Sequence, residues 1–451
     1  MSAPRASDEL LALAEDLVRF ARRAGADEVE VGIGEGTEFS VDVRLGEIEN
    51  LVQAGSRSLG LRLIKDKKTA YATSSDLARG TLEDLIRRAV QRTELAQADA
   101  CAGLPEPTGP VPDSAGLDLY DPAVLALPAE AKIKAAKEAE LMALADPRIV
   151  NSHGASFSTH EGRSILANSN GFLGQYAKTY ASLSLSLQAG ETDDLVEDFW
   201  FSSGVRLADL ETPEALARTA VARTVRHLHP RKLETGRLPV VFEPLAASGI
   251  LGFLFSCVSG MAVYQRASFL ADKLGQSVGN GLVTVIDDGL LPGRLGSSPF
   301  DSEGVPTRKT VVLDRGILRS FLCNAYAARK LGLAATGNAD GGGVGPNNFY
   351  LAPGPDSAED VIRSCDRGLL VVRTLGHGLN PVNGDISQGV FGLFIEGGEI
   401  AHPVSEVTIS GNLGELLRNV ERVGRDLEFR GSVSSPTVKI AELQVAGLEK
   451  S

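Results

Sequence analysis

The pattern of apolar and polar positions separates the chain into helical and strand-like stretches. Apolar residues recur at helical spacing over residues 7–25, 82–96, 128–144 and 212–228. Apolar and polar residues alternate over 28–33, 38–45, 58–64 and 69–74, which predicts strands bounded by Gly, Asp or Lys turns. The order of helix, strands and helix predicts an α+β fold with an antiparallel sheet.

The middle of the N-terminal half is dominated by alternation. Over residues 149–190 small hydroxyl side chains alternate with apolar ones, and the dipeptide Asn170–Gly171 is a typical hairpin turn. This stretch predicts a meander of hairpins. The preceding segment 101–119 is rich in proline and glycine and has no periodicity, which predicts a linker or surface loop.

Glycine becomes more frequent after residue 238, and the predicted strands become shorter. Further helices are predicted at 246–257, 325–331 and 412–419. We place a boundary near 231–237. The prediction is an N-terminal α/β domain with an antiparallel sheet (residues 1–232) and a C-terminal β-rich domain with a few helices (residues 233–451). Short strands of the second domain are predicted at 239–242, 282–286, 310–313, 368–374, 392–395 and 437–445.

Composition narrows the function classes. The formal net charge is -13, which disfavours a nucleic-acid surface because phosphate neutralisation needs clustered Lys and Arg. No apolar run approaches the ~20 residues of a membrane span, and charges interrupt the apolar stretch at the N-terminus, unlike a signal peptide. We expect a cytoplasmic protein. Its four cysteines have no paired spacing, which predicts reduced thiols.

The histidines do not form a recognisable metal motif. His160 precedes Glu161, but no second histidine follows at helical spacing, so we interpret the pair as part of a surface hairpin. His227 and His229 point in different directions on a helix, and we expect them at a solvated helix end. His377 lies between two glycines that permit close approach, and it is a candidate cleft residue. We assign no catalytic residue and no metal ligand.

Charged residues of the C-terminal half fall mostly in or beside glycine-rich turns. One interpretation is a polar groove that positions a peptide backbone. The other is a set of ion pairs and turn-forming aspartates. The sequence leaves both open for the following residues: Arg266, Asp287, Asp288, Arg294, Asp301, Glu303, Arg308 and Asp385.

Ordered motifs in the same half resemble the TldD/PmbA family, and its PmbA (TldE) branch more than its TldD branch. They read YQRASFL at 264–270, FDSEGVPTR at 300–308, ARKLGL at 328–333, TGN at 336–338, NGDIS at 383–387, ISGNL at 409–413 and VAG at 445–447. The resemblance covers most of the chain and is strongest from about residue 242 to 447. It implies an N-terminal α/β domain and a C-terminal β-rich domain.

The resemblance also implies a two-subunit peptidase. In the family the catalytic TldD-like subunit carries an HExxxH zinc motif and a late cysteine ligand. Here the corresponding stretch 249–268 contains no histidine, and 430–436 contains no cysteine. We therefore expect a non-catalytic subunit without a cofactor of its own, and zinc in a TldD-like partner. We also expect it to bind peptide or unfolded protein. The candidate substrate-binding residues are Arg266, Asp301, Arg308, Asn338, His377 and Asp385.

Two other functions remain open from the sequence. The chain is alternatively an independent peptidase-like enzyme that uses a different site, for example His377 with Asp385 or Cys323. It is alternatively a homodimeric peptide-binding or scaffold protein. The family is also associated with modulation of DNA gyrase, but the acidic composition gives no support for direct DNA contact.

Overall fold

The structure of the chain is a computed structural model that describes residues 6–107, 109–191, 195–376 and 378–447. Within these ranges no helix has the length and apolarity needed to cross a bilayer. Two short 3-10 helices lie at Ser114–Leu117 and Leu207–Asp209. The α-helices are α1 Ala6–Arg23, α2 Arg79–Thr93, α3 Pro122–Ala126, α4 Ala129–Leu144, α5 Pro213–Val225, α6 Pro244–Val258, α7 Gly260–Tyr264, α8 Ala325–Leu331, α9 Ala358–Arg363 and α10 Leu413–Arg418.

The N-terminal half is built on one six-stranded antiparallel sheet with the order β3-β2-β1-β4-β5-β6. Its strands are unusually long, up to 20 residues in β4. The sheet confirms the predicted antiparallel arrangement. The strands are β1 Glu28–Arg44, β2 Glu47–Lys65, β3 Lys68–Ser74, β4 Ile149–Asn168, β5 Leu173–Ala189 and β6 Val196–Gly204.

Strand lengths differ from those that alternation predicts. The two predicted strands within 28–45 are one continuous strand, because Gly34 and Gly36 extend the ladder between them. The predicted meander over 149–190 is a single hairpin of β4 and β5, which turns at Asn170–Gly171. Gly171 adopts a left-handed φ of 91°, which a glycine reaches without strain.

Helices α1, α2, α4 and α5 pack on one face of this sheet. Val29, Val31 and Ile33 of β1 point into a core formed with α1 and α2. Farther along the same strand Phe39 and Val41 point into a second core with α4 and α5. The period of two therefore leaves the residues between them on the opposite face, which meets the C-terminal half.

The C-terminal half contains a mixed eight-stranded sheet whose order is β16-β17-β15-β8-β21-β18-β7. Strand β19 pairs with β21, and an additional β17–β18 pairing closes part of the sheet into a ring. The predicted division after residue 232 falls at the end of β7, which pairs with β18. The strands are β7 Arg231–Lys232, β8 Gly236–Phe242, β15 Arg367–Leu375, β16 Leu379–Asn380, β17 Asp385–Glu396, β18 Glu399–Asn412, β19 Val420–Val423 and β21 Val438–Ala446.

A second, five-stranded sheet packs against the apolar helix α6, with the order β11-β10-β9-β14-β20. Together α6, the two sheets and α10 enclose the largest core of the described residues. The chain is thus an α+β protein, as predicted. The remaining strands are β9 Val285–Asp288, β10 Lys309–Asp314, β11 Ile317–Leu318, β12 Ala339–Asp340, β13 Gly343–Val344, β14 Phe349–Leu351 and β20 Val433–Ser434.

Candidate functional site

A cleft separates the other face of the N-terminal sheet from loops and the short helices α7 and α8 of the C-terminal half. It consists of two adjoining cavities of about 660 and 590 Å³. Both volumes lie within the range of small-ligand sites, about 300–1,000 Å³. The cavities share four lining residues: Gly32, Gly60, Leu166 and Ser302.

The floor of the cleft is nearly free of side chains, and strand register explains why. Gly32 of β1 lies opposite Gly60 of β2, and Gly34 lies opposite Ser58. On the other side of β1, Gly34 pairs with Ser164 of β4. A Cβ atom at Gly60 would meet nothing within 4 Å, so space lies above the main chain there.

The loop 299–305 forms the opposite wall. Both carboxylate oxygens of Asp301 accept backbone hydrogen bonds, from Glu303 and Val305 at 2.9 Å and from Ala339 at 2.8 Å. Phe172 and Tyr176 of the sheet each make an edge contact with the Phe300 ring. These contacts fix the wall at a defined distance from the floor.

A buried ion pair joins floor and wall. Arg62 of β2 donates from Nη1 to Glu303 Oε1 at 2.9 Å and from Nη2 to the Gly103 carbonyl at 3.1 Å. The second oxygen of Glu303 accepts from the Ala325 amide at the start of α8, at 2.8 Å. In contrast, Glu30 Oε2 is buried and accepts no hydrogen bond, although Arg62 is its cross-strand neighbour.

Burial governs the titration of the carboxyl groups in the cleft. Desolvation raises the pKa of Glu30 to about 7, with Arg62 opposing the shift and Glu303 and Asp301 adding to it. Desolvation likewise raises the pKa of Asp301 to about 7, against its backbone hydrogen bonds. Burial lowers the pKa of Lys178, in the second cavity, to about 8. Lys178 donates to the carbonyls of Leu295 and Ser297.

Glu30→Gln is expected to raise the stability of the protein at pH 8 and to leave it nearly unchanged at pH 4. A carboxyl group whose pKa is higher in the folded than in the unfolded state stabilises the fold at pH values below its unfolded-state pKa. This stabilisation is lost as the pH rises through its folded-state pKa. For Glu30 this loss takes place between pH 4.5 and about pH 7. It corresponds to about 3 kcal/mol of the free energy of unfolding. Denaturant midpoints of both proteins across this window provide the measurement.

The matched control is Glu38→Gln, which makes the same change at an exposed position of the same strand. Its effect is expected to stay within about 0.5 kcal/mol at both pH values. An equal response of the two variants would contradict the assignment of the pH effect to the desolvated Glu30 carboxyl group.

Of the residues predicted to bind substrate, Asp301 and Asn338 are brought together at the second cavity. Asn338 is buried, and its amide is bonded within the protein. Its Nδ2 donates to Asp287 at 2.7 Å and to the Gly345 carbonyl at 3.0 Å, while its Oδ1 accepts from Thr336 at 2.7 Å. Its polar atoms therefore hold the wall loops in place.

The other predicted residues lie elsewhere, and none of those described lines either cavity. Arg308 donates to the Ala335 carbonyl. Arg266 is 70% exposed and pairs with Asp272 at 2.7 Å. Asp385 accepts hydrogen bonds from Asn383 and Asn412 on the surface. His377 lies outside the described residues.

The sequence analysis missed Glu30, Arg62 and Lys178 as cleft residues. A sequence signal for the floor was present, because Glu30 is followed on the same strand face by Gly32, Gly34 and Gly36. Nothing local identified Arg62, whose partner Glu303 is 241 residues away. The expectation for His227 was wrong: it is 3% exposed, because its ring lies 3.5 Å from Asp198 and packs edge-on against Phe391.

Comparisons with known proteins agree along the whole chain. Models of the PmbA/TldA metallopeptidase family match as domain 1 at residues 29–92, as the central domain at 122–228 and as the C-terminal domain at 235–447. Metalloprotease PmbA of Escherichia coli O157:H7 is 37% identical over 94% of this chain and 93% of its own. This chain belongs to the PmbA/TldD family.

Two further members of the family are similar to this chain over most of its length. A metalloprotease PmbA homolog of Haemophilus influenzae is 33% identical over 95% of this chain and 94% of its own. The crystal structure of TldE from Thermococcus kodakarensis superposes with a TM-score of 0.82 at 25% identity, over 96% of this chain and 100% of that one. The family fold is thus shared over nearly all of the residues that the structure describes.

The family is named for metallopeptidases, and a metallopeptidase needs protein side chains that bind its metal ion. Catalytic zinc takes three protein ligands drawn from His, Cys, Asp and Glu. No group of three or more such side chains that could hold a metal ion occurs within residues 6–107, 109–191, 195–376 and 378–447. Helices α6 and α7 occupy the stretch where HExxxH is expected, and they contain no histidine. The described residues therefore do not fit a zinc centre.

Proposed function

We propose that this chain is the non-catalytic, PmbA/TldE-like subunit of a two-component metalloprotease. In this proposal a TldD-like partner holds the zinc, and this chain helps to enclose and bind the peptide substrate. The observation that carries the proposal is the absence of a metal-ligand set among the described residues, in a chain that otherwise keeps the family fold.

The surroundings of the cysteines support a non-catalytic role. Desolvation raises the pKa of both Cys257 and Cys323 to about 12, so neither forms the thiolate needed for nucleophilic attack near neutral pH. Both are fully buried. Cys323 is therefore a poor nucleophile for an independent peptidase.

The peptide-binding part of the proposal rests on the cleft. Its small-residue floor leaves room for an extended chain, and the two adjoining cavities have the size of a ligand site. An inactive subunit that retains such a cleft can hold substrate while its partner performs the hydrolysis. Loss of metal ligands leaves this binding surface intact.

The test is co-purification with a TldD-like protein from the same organism, followed by peptide cleavage and metal analysis of each species. The proposal expects cleavage and about one bound zinc only where the partner is present. A complex in which the glutamate of the partner's HExxxH is replaced by glutamine is expected to assemble without cleaving peptide. This variant separates assembly from chemistry.

Cleavage or stoichiometric zinc in this chain alone would overturn the proposal in favour of an independent enzyme. A stable homodimer that ignores the TldD-like protein, binds peptide and cleaves nothing would favour the scaffold function. Size-exclusion chromatography with light scattering distinguishes the homodimer from the heterodimer before any activity is measured.

A further inference from the structure

The cleft combines an open acceptor and an open donor on neighbouring strands. Glu30 Oε2 is buried without a hydrogen-bond partner, and so is Arg62 Nε. The two residues face each other across β1 and β2, both line the larger cavity, and Arg62 is only 9% exposed. Directly paired cross-strand residues have Cβ atoms about 4.5–5.5 Å apart. A buried polar atom without a partner carries a cost that a ligand can remove.

Most other charged groups lining the two cavities already have partners. Asp99 accepts from Tyr326 at 2.7 Å and from Lys330 at 3.0 Å. Glu303 is held by Arg62 and the Ala325 amide, and Lys67 donates to the Ala102 carbonyl. Lys178 and Asp301 are occupied by backbone groups, as described above. The open positions are thus concentrated at Glu30 and Arg62.

The required ligand can be inferred from these two positions. Glu30 offers a carboxylate oxygen to a compact cationic donor, and Arg62 Nε offers one hydrogen to a nearby acceptor. The first residue of a peptide carries both groups, an α-ammonium and a carbonyl oxygen three bonds away from its nitrogen. The glycine floor beyond Glu30 then leaves space for the following residues.

We propose that the interdomain cleft binds the N-terminus of a peptide, with Glu30 accepting from the α-ammonium and Arg62 Nε donating to the first carbonyl. This inference rests on the proposed function and specifies where and how this subunit holds substrate. Glu30 and Arg62 are binding residues here, and no bond is broken in the cleft.

The protonation of Glu30 gives the inference a thermodynamic signature. The groups that face it are Arg62 from β2 and Asp301 and Glu303 from the wall loop. An added ammonium stabilises the carboxylate form, so binding near pH 7 is expected to release a proton. Calorimetry in two buffers of different ionisation enthalpy measures this release directly.

The experiment uses the purified full chain and three pentapeptide amides. The first is Ala-Ser-Ala-Gly-Ala with a free N-terminus, the second is its N-acetyl form, and the third is the N-acetyl form with lysine in place of the third residue. The free peptide is expected to bind at least tenfold more tightly than the acetylated peptide, and with proton release. The lysine peptide tests whether an ammonium group away from the N-terminus also supports binding.

Two variants place the binding at Glu30. Glu30→Gln is expected to weaken binding of the free peptide at least tenfold, whereas Glu38→Gln outside the cleft leaves it unchanged. Gly60→Val fills the open floor without a steric conflict and is expected to abolish binding. The matched control is Gly55→Val, at an exposed position of the same strand.

Several results would overturn the inference: no binding of the free peptide, equal binding of free and acetylated peptides, or full binding by Glu30→Gln. Tight binding of the acetylated lysine peptide would overturn the assignment to the N-terminus. These outcomes are separate from the proposed function. Zinc-dependent cleavage by the two-subunit complex can persist without peptide binding in this cleft, and cleft binding can persist if no such complex forms.

Discussion

Arg62→Met is expected to destabilise the fold by about 3–5 kcal/mol, the usual effect of removing one partner of a buried ion pair. The side chains of Arg62 and Glu303 are 10% and 6% exposed, and their closest atoms are 2.9 Å apart. Methionine keeps most of the side-chain volume but leaves the Glu303 carboxylate without its cation. Glu30 and Asp301 then add repulsion. The denaturant midpoint at pH 7.5 provides the measurement.

Arg57→Met is the matched control, because Arg57 lies on the same strand and pairs with Glu35 at 3.1 Å, but is 53% exposed. Its loss is expected to cost less than about 1 kcal/mol. The double variant Arg62→Met with Glu303→Gln is expected to recover part of the loss, because no uncompensated charge remains at position 303. Similar losses for the two arginine variants would show that burial does not set the strength of the Arg62 pair.

Asp287→Ala is expected to destabilise the fold by about 4 kcal/mol, since it removes the acceptor of three buried hydrogen bonds. Asp287 lies on β9 with no exposed surface. It accepts from the Asn338 side chain at 2.7 Å and from the backbone and side chain of Asn347, both at 2.9 Å. The change therefore releases the segment 338–347, which contributes to the lining of the second cavity. Thermal and denaturant unfolding provide the measurement.

Asp288→Ala provides the comparison at the neighbouring position. Asp288 is also buried, but its carboxylate accepts from a backbone amide, that of Leu290 at 3.0 Å, and holds no asparagine side chain of the described residues. We expect a loss of about 1–2 kcal/mol. If Asp288→Ala cost as much as Asp287→Ala, the asparagine network would not be the source of the effect.

Elements with strong local signals could be predicted well from sequence. Helix α8 occupies the predicted residues 325–331, because Asn324 caps its first turn by accepting from the Ala327 amide and Gly332 ends it with a φ of 67°. Helix α5 follows Thr212 and Pro213, and the Thr212 hydroxyl accepts from the Ala215 amide. Such signals act over three or four residues.

Strand lengths were less predictable. Alternation correctly identified which residues of β1 share a face, but it did not show that Gly34 and Gly36 continue the strand. Glycine is unfavourable in an isolated strand, and here the neighbouring strands β2 and β4 supply the ladder that keeps it extended. The pairing partner, rather than local preference, decides where β1 ends.

The candidate site was predictable only in part. Asp301 and Asn338 came from motifs that resemble the family, and the structure places both at the cleft. Glu30 and Arg62 were not identified, because their surroundings depend on the contact between β2 and a loop 241 residues later in the chain. A carboxyl group has no raised pKa until such a contact removes it from water.

The sequence by itself determined most element types, the alternation of apolar and polar residues along β1 and the absence of an HExxxH motif, since each depends on residue identity and short-range periodicity. Only the tertiary structure decided that two separate halves enclose a cleft, that Arg62 pairs with Glu303, and that one carboxylate oxygen of Glu30 is buried without a hydrogen-bond partner. These properties arise from desolvation and long-range contact. Neither can be predicted from the order of residues alone, because both depend on the packing of the sheet against the wall loop.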